Sequence, residues 1–161
     1  LLRGRECPSR ASRLDVDDGS GRGDMVAPPE KELTVAGPRA FISFEMEDRW
    51  ARDFLVQQAK DKNNDIQFTD YSVQNPWDTS WKTQCALRIQ RTRGTIVLVG
   101  PTTYASEAVL WEIQETARQG HNLFGVQINR DATYTLPRGL LSSAVVRWNF
   151  DAIVERLQSW Q

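Results

Sequence analysis

The stretch Thr95 to Gly120, TIVLVGPTTYASEAVLWEIQETARQG, constrains the fold more than any other part of the chain. Thr95–Val99 is an uninterrupted apolar run rich in β-branched residues, the pattern of a strand covered on both faces. Gly100-Pro101 ends it. From Tyr104 to Gln119 the period becomes helical, with Ala105, Val109, Ile113 and Ala117 recurring every four residues. Gly120 is placed to stop that helix. At about 100° of rotation per residue, Glu112 stands roughly 100° from the centre of the apolar stripe. Glu107 and Glu115 are expected on the far side, in solvent. Glu112 is therefore the acid of this helix that the pattern allows to be partly buried without entering the core.

The same alternation runs through the rest of the chain. Arg39–Phe44 reads as the first strand, and a helix over 47–60 follows with Trp50, Ala51, Phe54 and Leu55 facing inward. The acids of Glu45-Met46-Glu47-Asp48 read as a solvated helix start. Asn63-Asn64-Asp65 is a turn, Ile66–Thr69 a second strand, and Asp70–Asp78 a long loop. Asp78 or Thr79 is expected to cap a helix running to Arg91. Leu123–Ile128 is the fourth strand and Ala144–Trp148 the fifth. The last helix covers Phe150–Trp160 with Ile153, Val154 and Leu157 inward. Strands alternating with helices in this way predict an α/β fold, a doubly wound five-stranded parallel sheet in the flavodoxin-like order 2-1-3-4-5. Ligands in such sheets bind at the carboxyl ends of the strands, beside the switch between strands 1 and 3. That rim comprises Phe44–Asp48, Asp70–Asp78, Gly100–Ser106 and the start of the Glu112 helix.

The 161 residues suffice for one α/β domain and a tail. Residues 1–38 mix Gly, Ser, Arg, Asp and Pro without a period and are expected to be a disordered or misannotated leader; the domain spans 39–161. A net charge of −1 with no basic cluster argues against nucleic-acid binding. No apolar run is long enough for a membrane span, and LLRGRECPSR lacks the apolar core of a signal peptide. The cysteines, Cys7 and Cys85, are far apart, consistent with a reducing, cytoplasmic setting. Cys85 shares a helix stripe with Trp81 and Ile89 and reads as a small buried thiol. The single histidine, His121, argues against a zinc site and against Ser-His or Cys-His catalysis, so no metal is expected. The turn after strand 1 has no glycine and carries acids that repel a pyrophosphate, which disfavours a resident dinucleotide or flavin. A phospho-receiver needs an Asp at the end of strand 3, where this chain has Val99-Gly100-Pro101.

Three separated motifs, in order, carry a resemblance: FISF on strand 1, DYSVQNPW after strand 2, and SEAVLWEI on the helix after strand 3. Over Arg39–Trp160 the chain resembles the TIR-like family, in the branch that includes the signal-generating TIR proteins of Thoeris antiphage systems. The resemblance implies a flavodoxin-like fold and, in its catalytic members, cleavage of NAD⁺ by an acid on the helix after strand 3. Glu112 falls at that place. The resemblance further implies that Phe44 lines a nucleotide pocket, that 70–77 forms a loop over it with Asp70, Tyr71, Ser72 and Trp77 toward substrate, and that Trp111 lies beside the acid. It implies self-association and a downstream effector reached through a nucleotide product.

One carboxylate is enough for such chemistry. Cleaving NAD⁺ expels neutral nicotinamide, so the general acid of ordinary glycosidases is dispensable. What remains is to hold the ribose hydroxyls and stabilise an oxocarbenium-like cation, which a partly desolvated carboxylate can do. NAD⁺ is then a substrate, and no cofactor is required. Attack by water gives ADP-ribose; attack by the adenine or a ribose hydroxyl gives a cyclic isomer. Glu112 has a blander alternative, a helix carboxylate facing solvent or bridging to Arg118 or Lys82. Trp111, Trp77 and Trp81 are equally consistent with core packing, and Asp70 and Ser72 with turn formation. The alternative function is a non-catalytic interaction module.

Overall fold

The structure, a computed structural model, describes residues 37–70 and 80–160. Five strands form one parallel sheet: β1 (Arg39–Ser43), β2 (Gln67–Asp70), β3 (Gly94–Val99), β4 (Asn122–Gln127) and β5 (Val145–Arg147). Their order is 2-1-3-4-5, as the alternating pattern predicts. Four helices connect and flank them: α1 (Arg49–Asp61), α2 (Trp81–Gln90), α3 (Glu107–Arg118) and α4 (Phe150–Gln158). Element bounds depart from the sequence reading by one to three residues, the largest at α3, which begins at Glu107 rather than Tyr104 because Thr103–Ala105 form a separate 3-10 turn. The N-cap positions expected at Asp78 or Thr79 lie outside the described residues; the residue preceding α2 is Ser80.

Alternation along each strand divides the core. Ala40 and Ile42 of β1, Ile96 and Leu98 of β3, and Phe124 and Val126 of β4 pack with α1 and α4. Their neighbours point the other way: Val97 and Val99 meet Val109 and Ile113 of α3, and Phe41 meets Cys85 and Ile89 of α2. Every residue of β3 is buried, which explains its unbroken apolar run. Thr95 is the polar exception. Its hydroxyl bonds Thr116 of α3 at 2.7 Å, and Thr116 in turn donates to the Glu112 carbonyl, so α3 is pinned to the middle strand. Ser106 caps α3 by accepting from the Val109 amide. Gly120 ends it with φ +70, as expected of a glycine stop.

Three expectations need correction. Glu115 is buried, not solvent-facing, because α2 packs beside that flank of α3: its carboxylate bonds Arg118 and Gln119, and Gln119 also donates to the Ala86 carbonyl of α2. The Arg118 hydrogen bond holds its pKa below the usual range. Asp48 is buried as well, 4 % exposed, rather than part of a solvated start. A Cβ on Gly100 would stand 2.1 Å from its Oδ2, so the carboxylate occupies the space this glycine leaves. Burial, with the nearby Glu47 and Glu45 charges, raises its pKa. Finally, Trp50 and Phe54 of α1 are 57 % and 49 % exposed, because the inward stripe is Ala51, Leu55 and Ala59, one position round the helix.

Candidate active site

β1 ends at Ser43, whose side chain shares the α2–α3 face with Phe41. α3 passes over that face and brings Glu112 onto it. The Ser43 hydroxyl donates a short hydrogen bond to Glu112 Oε2. Cys85 of α2 approaches Glu112 Oε1 from the other side, its Sγ at 3.6 Å. One carboxyl thus joins β1, α2 and α3, and Glu112 is only 4 % exposed. It sits deeper than the edge-of-stripe position predicted, because α2 closes over it.

This environment controls its charge. Burial pushes the Glu112 pKa up to about 8, against the hydrogen bonds from Ser43 and Cys85; the Asp70 and Glu45 charges add to the rise. At neutral pH the carboxyl is mostly protonated. The Cys85 thiol is also pushed well above its ordinary range, first by burial and then by the adjacent carboxylate. Cys85 is thus inert as a nucleophile at neutral pH and acts as a soft polar neighbour.

The remaining candidates distribute around this centre. Phe44 follows Ser43 and packs, half-buried, toward the opposite core; the Arg52 guanidinium lies 5.4 Å from its ring centre. Arg52 also pairs with Asp70 at 2.6 Å, at the end of β2. Phe44, Arg52 and Asp70 therefore form one linked group on the rim. Trp111 meets Trp81 edge-on, ring centres 5.1 Å apart, against the Phe41–Cys85–Ile89 cluster. Tyr71, Ser72 and Trp77 lie outside the described residues. Among the described residues no group of three or more His, Cys, Asp and Glu side chains could hold a metal ion, and no helix is long and apolar enough to cross a membrane.

Ser43, Cys85 and Arg52 escaped notice as partners in the sequence. Ser43 was legible in principle, since a serine two residues after Phe41 shares its inward face. The Cys85–Glu112 approach depends on how α2 crosses α3, which no sequence period encodes.

A five-stranded parallel sheet in this order is the flavodoxin-like arrangement, and the comparisons narrow it to a TIR-like domain. The family model described as "Thoeris protein ThsB, TIR-like domain" matches residues 41–133, more than half of the chain, and the chain belongs to that family. Solved structures agree on the fold. The TIR domain of the Toll-related receptor TRR-2 from Hydra magnipapillata aligns with a TM-score of 0.52 at 17 % identity, covering 73 % of this chain and 89 % of that one. A prokaryotic SEFIR domain aligns with a TM-score of 0.52 at 12 % identity, covering 78 % and 94 %. No match was found among curated proteins.

Proposed function

We propose that this domain cleaves NAD⁺ at the nicotinamide–ribose bond and releases an ADP-ribose-derived nucleotide as an antiphage signal to a downstream effector. The observation that carries the reading is the Glu112 carboxyl, buried at the rim and held at both oxygens. A seat of this kind is low in dielectric and fixed in geometry, the conditions under which one carboxylate stabilises a developing cation most strongly. The proton Glu112 holds at neutral pH is labile to substrate. A cationic nicotinamide ring brought beside it favours the ionised form. Glu112 then faces the oxocarbenium-like centre as neutral nicotinamide departs, and no acid is needed for the leaving group. Phe44 and Asp70 supply an aromatic face and a polar edge on the same rim.

The test is incubation of NAD⁺ with concentrated protein, followed by chromatography, with and without Glu112→Gln. Release of nicotinamide that the variant abolishes supports the enzyme, and the co-product separates hydrolysis from cyclisation. A second reading has its own support: a carboxyl with both oxygens engaged by β1 and α2 is also a polar clamp between elements, as suits a non-catalytic interaction module. No nicotinamide from folded protein, wild type included, selects that reading.

A further inference from the structure

On the opposite face of the sheet from Glu112, α1 presents Trp50, Phe54 and Gln58 at every fourth position, and Lys62, just past its end, continues the line. The first two are about half exposed. They do not lie on a flat surface. With Trp148 and Phe150 they border a cavity of about 510 Å³ between α1, the ends of β4 and β5 and the start of α4. That volume is in the range of small-molecule sites, and four aromatic rings line it. Phe54 and Trp148 form a wall, ring centres 5.6 Å apart and tilted by 31°.

The polar groups of the cavity are arranged around these rings. Trp148 Nε1 donates to Gln58 Oε1 at 3.2 Å, which fixes that amide and leaves its NH₂ as the donor edge. Lys62 lies 5.0 Å from the Phe150 ring centre and pairs with Asp151 at 3.3 Å. Asp151 offsets Lys62, so the net positive charge of the cavity rests on Arg130. The Arg130 guanidinium has no hydrogen-bond or ion-pair partner among the described residues; only its carbonyl is engaged, by Arg147. A cationic ligand is disfavoured, because Lys62 already covers the Phe150 face. A long polyanion is disfavoured by the net charge of −1.

We propose that this cavity binds a mononucleotide: a planar heteroaromatic ring stacked against Trp50 and the Phe54–Trp148 wall, its edge read by Gln58 and its phosphate held by Arg130. Stacking on aromatic faces tolerates any base, and a free guanidinium is suited to a phosphate. The site is separate from Glu112 and does not depend on whether NAD⁺ is cleaved.

Isothermal titration calorimetry of the full chain with AMP, adenosine and inorganic phosphate tests it. Saturable binding of AMP is expected, roughly tenfold tighter than adenosine, with phosphate alone much weaker. Arg130→Ala should reduce AMP to the adenosine level, while Trp50→Ala should weaken both by roughly tenfold or more. Both side chains are exposed, so the variants should keep the circular dichroism of the parent, which is checked first. No saturable heat with AMP overturns the proposal, as does AMP binding that neither substitution alters. Sedimentation supplies a further arm: a dimer of the parent that Trp50→Ala dissolves, without AMP binding, assigns the face to a second copy instead.

Discussion

Glu112 combines a buried position with a pKa near 8, and both properties are measurable apart from any activity. Its folded pKa lies above the unfolded value near 4.5, so the folded state holds the proton more tightly. The resulting stability is fully present below the unfolded pKa and is lost as pH rises through about 8. The upper bound of the loss is about 5 kcal/mol. Thermal melts across this window should fall steeply for the parent and much less for Glu112→Gln; parallel curves would refute the buried, protonated carboxyl. If the ionised form is the catalytic one, kcat/KM for NAD⁺ should climb with pH and level off above about 8. Ser43→Ala removes the hydroxyl donor that favours the charged form. It should move that rise to higher pH and cost about 1 kcal/mol of stability in urea titrations. A pH profile unchanged by Ser43→Ala would mean that the hydrogen bond does not govern Glu112. The sequence pattern placed Glu112 at the border of the buried stripe but not in its seat, since helical spacing gives an angle and not the identity of the neighbouring helix.

Among the elements, those with a strong period were legible and those shaped by contacts across the rim were not. β3 follows from its apolar run, and Val109, Ile113 and Leu157 are buried where their stripes place them, whereas Ala105 and Ala117 of the same predicted stripe as Val109 are exposed. α1 shows the limit. Trp50, Ala51, Phe54 and Leu55 were all expected inward, yet of these the sheet accepts Ala51 and Leu55, with Ala59, because small and branched side chains let the helix approach closely. The turn after β1 shows the other limit: a run of acids looks solvated until Gly100 leaves room for one of them. That pairing is testable. Gly100→Ala sets a methyl against the Asp48 carboxylate and should cost about 2 kcal/mol or more in denaturant unfolding. Adding Asp48→Ala should restore more than half of the loss, because the two residues occupy one space. Additive losses in the double variant would disprove the steric link. Ser106→Ala, which removes the cap of α3, should cost about 1 kcal/mol by the same measurement.

For the molecule as a whole, alternation of strand and helix patterns and right-handed crossovers gave a doubly wound parallel sheet, and the order 2-1-3-4-5 was the flavodoxin-like choice for five strands, which the structure has. The order fixes more than shape. Because side chains alternate along β1, Ile42 belongs to the α1–α4 core and Ser43 to the α2–α3 core. The aromatic cavity and Glu112 are therefore separated by the sheet itself. Tyr134 touches both cores, but Trp50 and Glu112 themselves lie on opposite faces of the sheet, so their energetic effects should be independent. Trp50→Ala and Glu112→Gln should change unfolding free energy additively, within about 0.5 kcal/mol, when singles and double are compared in urea at one pH. A larger coupling would show that the sheet transmits strain between its faces. Saturating AMP at the α1–α4 cavity would then be expected to alter the pH at which Glu112 titrates, and independence predicts that it leaves that pH unchanged.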